Sequence, residues 1–75
     1  MTELRIDNTE LLMWFERDRA HVELRSRLDD STIVEWWDEE VSEAVEDGLL
    51  NPRDYHSSAY EYAELRGLLP NVEQQ

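Results

Sequence analysis

The residues of this chain that could do chemistry are overwhelmingly carboxylates, and they are gathered in one place. Glu35, Asp38, Glu39, Glu40, Glu43, Glu46 and Asp47 lie in the stretch TIVEWWDEEVSEAVEDG, and from Leu28 to Pro52 there is no cation. On a helix starting after Asp38, Glu39, Glu43, Glu46 and Asp47 fall at i, i+4, i+7 and i+8, on one face. Like charges at that spacing destabilise a helix by a few tenths of a kcal/mol per pair. Glu39 and Glu40 recover part of this at the positive N-terminal end of the dipole, whereas Glu46 and Asp47 lie at the negative end, where carboxylates are disfavoured. Helix stability does not explain that last pair. What such a face can do is meet positive charge on another molecule.

Other constellations point to less. Asp29, Asp30, Asp38, Glu39 and Glu40 lack the twelve-residue calcium loop with its central Gly and final Glu. His21 and His56 are far apart, there is no Cys, and neither His has a second ligand at metal spacing, so no metal and no cofactor are expected. The run DYHSSAYEY places Asp54, His56 and Ser57 on one short segment, where a catalytic triad cannot assemble. Two isolated Gly cannot form a phosphate loop. The chain is therefore read as a binding protein and not an enzyme.

The elements that must position the acidic segment follow from periodicity. TELRID (2–7) alternates weakly, as a strand. Asn8 or Thr9 offers an N-cap, and Leu11, Leu12, Phe15 and Arg19 then predict a helix over 9–19. AHVELRSR (20–27) fits either a strand or an extension of that helix, and LDD (28–30) reads as a turn. STIVEWW is β-branched and aromatic, which favours a strand; a helix with Thr32 and Glu35 as a capping box is the competing reading. On a strand, Trp36 and Trp37 point to opposite faces, one to the core and one outward, and Trp36 is the expected surface anchor with an acidic rim. A helix then starts at Asp38, buries Val41, Ala44 and Val45, and ends at Gly48. Asn51 is the expected cap and Pro52 the first residue of a last helix, along which Tyr55, Ala59, Tyr62, Ala63 and Arg66 share a side and which Gly67 stops. Leu68 and Leu69 are expected to tuck back, and 70–75 to fray. The arginines of 17–27 are expected to pair with neighbouring acids, with Arg19 closing over the acidic segment.

The predicted architecture is a single α+β domain over 1–75, with a short antiparallel sheet or hairpin on two or three helices; a three-helix all-α fold is the alternative. A chain this short buries only about 60% of its unfolded surface. The formal net charge of −12 argues against direct binding to nucleic acid or to an anionic membrane, both polyanions. MTELRIDNTE has no apolar run of the signal-peptide kind, and the lack of Cys suits a reducing cytoplasm.

In size, acidity, aromatic content and lack of Cys, with the acidic segment at 29–47, the chain resembles small phage-encoded inhibitors of host defence. These are anti-restriction and anti-CRISPR proteins that mimic DNA. The resemblance implies carboxylates standing where phosphates would lie, occupying the cleft of a basic host nuclease or nucleic-acid-binding complex in the host cytoplasm. The scattered arginines depart from a pure mimic. Glu35, Trp36, Asp38, Glu39, Glu40, Glu43, Glu46 and Asp47 are the expected partner-binding residues. The alternative is a structural or assembly module that homodimerises, or docks on a larger particle, through its aromatic surface.

Overall fold

In the computed structural model the backbone is described for residues 2–69, 71 and 72, and side chains for 4–69. The main sheet has three antiparallel strands in the order β2-β3-β4: β2 is Thr9–Glu16, β3 Arg19–Ser26 and β4 Thr32–Trp37. Helix α1 (Glu39–Glu46) and helix α2 (Tyr55–Leu65) follow. A two-stranded ladder joins β1 (Thr2–Glu3) to β5 (Asn71–Val72). The α+β class is as expected, and neither the three-helix alternative nor the capping-box helix at Thr32 is adopted.

The helix expected over 9–19 is instead strand β2 and its turn, the main correction to the sequence reading. TELLMWFE carries apolar residues at both periods: Leu11, Leu12 and Phe15 suit a helix, and Leu11, Met13 and Phe15 alternate equally well. Pairing with β3 decides between them, from Thr9 opposite Ser26 to Glu16 opposite Arg19. Arg17 and Asp18 form the two-residue turn, with φ of 51° and 65°. Positive φ at both positions matches the twist of a hairpin, but Asn-Gly or Asp-Gly would announce it and Arg-Asp does not.

The register sorts the sheet into two faces. Leu11, Val22, Leu24, Val34 and Trp36 share one, since Leu11 faces Leu24, Leu24 faces Val34 and Val22 faces Trp36. Onto it pack Ala44 of α1, Ala59 and Ala63 of α2, and Leu50 between them, all buried. Small residues at the helix contacts let the helices approach closely over the larger strand side chains. The register shifts between Leu24 and Arg25, where Ile33 is the extra residue.

Both helix ends follow one rule. Gly48 (φ 77°) and Gly67 (φ 67°) take the left-handed conformation, and the next N–H reaches back five residues: Leu49 to Ala44 O at 2.8 Å and Leu68 to Ala63 O at 2.8 Å. The start of α2 differs from expectation. Asp54, not Asn51, is its cap, accepting from Ser57 N–H at 3.1 Å. Asn51 and Pro52 form the preceding turn, closed by Asp54 N–H to Asn51 O at 2.9 Å. Proline thus serves as a turn residue there, which its fixed φ equally suits.

The expected strand over 2–7 is shorter, giving way to a 3-10 turn at Ile6–Asn8. Leu4 is buried, and its carbonyl accepts from Tyr60 Oη at 2.9 Å, tying this segment to α2. Of the tail expected to fray, Asn71–Val72 pairs with Thr2–Glu3, while residues 70 and 73–75 lie outside the described residues. Leu69 packs against the core and Leu68 is exposed, so half of the expected tuck is made. No described helix is long and apolar enough to cross a membrane.

Candidate functional site

The acidic segment divides between two surfaces. Glu39, Glu40, Glu43, Glu46 and Asp47 are all exposed along α1, and none has a described cation within 4.0 Å. Glu40 reaches back to accept from the Trp37 backbone N–H at 3.3 Å. Glu35 stands apart, on the sheet face turned away from the helices, because β4 places it opposite Glu23.

Asp38 is the hinge between the two surfaces. Its φ of 53° and ψ of −114° are unfavourable for any side chain, and it makes no side-chain cap on α1. Its backbone N–H donates to Ala20 O at 2.7 Å, and its carboxylate lies 3.7 Å from Arg19 Nε. The expected closure of Arg19 over the acidic segment is therefore present, made to Asp38, with the guanidinium also over the Trp37 ring at 5.4 Å.

Trp36 is not an exposed anchor. It is 6% exposed, faces Val22 in the core and packs against Tyr62 with ring centroids 5.4 Å apart. The two-residue period of the strand sends Trp36 inward and Trp37 outward, so one Trp takes each direction and Trp37 is the outer one. Trp36 nevertheless lines, with Glu40, Glu43, Ala44, Asp47 and Leu49, a shallow depression of about 170 Å³.

The outward sheet face holds a second constellation. His21 lies between Trp14 (centroids 3.9 Å apart, 28° between planes) and Trp37 (3.7 Å, 55°). The rings cover it so well that it is only 4% exposed, and neither ring nitrogen has a hydrogen-bond partner. A buried polar group left so costs about 1–3 kcal/mol. His21 Nε2 is 3.6 Å from Glu23 Oε1 and 3.4 Å from Glu35 Oε2.

Glu23 is buried as well, at 3% exposure. Its Oε2 accepts from Thr32 Oγ1 at 2.6 Å and Arg25 Nε at 3.0 Å; Arg25 Nη2 lies 3.3 Å from Oε1. Burial pushes the Glu23 carboxyl up, but the hydrogen bonds from Arg25 and Thr32, with the Arg25 charge, outweigh it and hold the group below its ordinary value. Glu23 thus lies buried, with its charged form favoured, directly across the ladder from Glu35.

Sequence reasoning set His21 aside for want of a second ligand, and the fold brings Glu23 and Glu35 near it, the donor atoms of all three lying within 4.8 Å of one another. His-x-Glu on a strand puts both side chains on one face, so that half of the signal is present in the sequence. Glu35 joins only through the β3–β4 register. Comparison with protein-family models, with curated proteins and with solved structures finds no match to this chain.

Proposed function

We propose that this chain is a binding module whose α1 face docks on the basic surface of a nucleic-acid-binding protein, such as a nuclease, and inhibits or modulates it. The observation that supports this reading is the state of the α1 carboxylates. Glu39, Glu40, Glu43, Glu46 and Asp47 are exposed with no described cation within 4.0 Å, whereas Glu23 on the sheet is paired with Arg25 and Asp38 with Arg19. Among the described residues no cation pairs with the α1 carboxylates, and Glu46 with Asp47 works against the helix dipole. Uncompensated negative charge draws in a basic partner from a distance and weakens with salt, over about 8 Å at physiological ionic strength. The depression lined by Trp36, Glu40, Glu43 and Asp47 suits an arginine or lysine side chain from that partner, since three of its lining residues are carboxylates.

The test compares two baits in cell lysate at low and high salt: the natural chain, and one carrying Glu39→Gln, Glu40→Gln, Glu43→Gln, Glu46→Gln and Asp47→Asn. The expected result is a nucleic-acid-binding protein held by the natural chain alone and released by salt or by competing duplex DNA. Both baits holding the same protein, or neither holding one, overturns the reading. Circular dichroism of the variant confirms that it is folded, since neutralisation removes repulsion along the helix but also the favourable dipole contribution of Glu39 and Glu40.

One observation favours a second reading, a homodimer. Met13 (54% exposed) and Phe15 (78%) line an apolar groove with Ala20, Val22, Val41 and Tyr55, beside β2, an edge strand. A dimer through that groove persists in high salt and is lost with Phe15→Glu, as sedimentation or light scattering would show.

A further inference from the structure

We propose that His21, Glu23 and Glu35 form a binding site for one divalent transition-metal cation of the zinc class. The His21 Nε2 distances to Glu23 Oε1 (3.6 Å) and Glu35 Oε2 (3.4 Å) are long for hydrogen bonds, which cluster near 2.9 Å. They match the edge of a coordination tetrahedron: bonds of about 2.0–2.1 Å place neighbouring ligands about 3.3–3.4 Å apart. All three donor atoms lie within 4.8 Å of one another. Glu35 is half exposed and has the freedom to close the remaining gap, and it leaves an entry path and a fourth position open to water.

Charge argues the same way. Glu23 and Glu35 face each other across the ladder, an unfavourable pairing of like charges. Arg25 offsets one of the two, bound mainly through Glu23 Oε2 with Thr32 on the same atom. Those contacts orient Glu23 as outer hydrogen bonds do for ligating carboxylates, and Oε1, which accepts only the longer bond from Arg25 Nη2 at 3.3 Å, lies 3.6 Å from His21 Nε2. The buried, unpartnered His21 Nε2 lies 3.6 and 3.4 Å from the two carboxylates, in the same space. An imidazole with two carboxylates selects zinc and its neighbours over calcium or magnesium, which take oxygen.

The test is calorimetric titration of the folded chain with Zn²⁺ alone, repeated with Ca²⁺, and with Glu35→Gln, His21→Gln and the α1-neutralised variant. We expect one Zn²⁺ per chain, at least tenfold weaker binding in Glu35→Gln, loss in His21→Gln, and no change in the α1 variant. Nuclear magnetic resonance should then show Zn²⁺ shifting the His21 ring nitrogens and the Trp14 and Trp37 indole signals. Should His21→Gln not fold, the exposed Glu35→Gln carries the test. Absence of saturable Zn²⁺ binding, equal affinity for Ca²⁺, unchanged affinity in Glu35→Gln, or loss in the α1 variant would each overturn the assignment. Because the α1 variant separates the two surfaces, this site stands or falls independently of the docking function.

Discussion

Trp36 and Trp37 are adjacent in sequence and should differ sharply in what their removal costs. Trp36 is 6% exposed, lies over Val22 in the core and adds a tilted aromatic pair with Tyr62. Truncation of a buried Trp to Ala costs about 3–5 kcal/mol, and a favourable ring pair adds about 0.5–1.5 kcal/mol beyond area. At about 0.05–0.15 kcal/mol per residue, the 75 residues hold roughly 4–11 kcal/mol in all, so Trp36→Ala removes a large part of it. Trp37 is half-buried, covering one side of His21 beneath Arg19, and Trp37→Ala should cost about 1–2 kcal/mol. The assay is urea unfolding followed by far-ultraviolet circular dichroism, since tryptophan fluorescence changes with the substitutions themselves. The midpoints should separate while the slope stays constant. If Trp36→Ala leaves too little folded protein, Trp36→Phe against Trp37→Phe keeps the same order with smaller gaps. A greater loss at Trp37 would refute the β4 register, because a slip of one residue exchanges the two faces entirely.

Two further outcomes follow from local features. Replacing Arg17-Asp18 by Asn-Gly should raise stability by about 1 kcal/mol or more, since both positions hold φ values that cost an ordinary side chain roughly 1–2 kcal/mol; a lower melting temperature would contradict the turn. Asp54 accepts from the Ser57 backbone N–H, which holds its carboxyl below the ordinary value of about 3.9. Its contribution is therefore complete above about pH 4 and is lost as pH falls through the lower folded value. Asn caps as well as Asp, so Asp54→Asn should leave neutral-pH stability nearly unchanged while flattening the acid limb of a stability–pH curve. An unaltered acid limb would show that the cap is not ionised in the way described.

The sequence alone determined the acidic segment and its helical phase, because charge and spacing are local properties. It also favoured the strand character of TIVEWW over a capping-box helix, and determined the helix following Asp38, its end at Gly48 and the contact stripe of α2. Each of these rests on a short-range rule: β-branching, dipole complementarity, left-handed glycine, or apolar spacing. Where two local rules were evenly matched, the expectation failed. TELLMWFE satisfied both periods, and only its ladder with β3 made it a strand. Asn51-Pro52 suited a turn as well as a cap, and in the fold they make the turn while Asp54 caps α2.

Tertiary structure alone decided which Trp is core, where Glu35 points and what surrounds His21. These depend on the register of β3 against β4, set by burying Val22, Leu24 and Trp36 beneath the helices. Once that face is chosen, alternation commits every other side chain to the opposite one. The His21, Glu23 and Glu35 cluster is the consequence: three residues spread over fifteen positions, joined by a pairing between strands that no local spacing encodes.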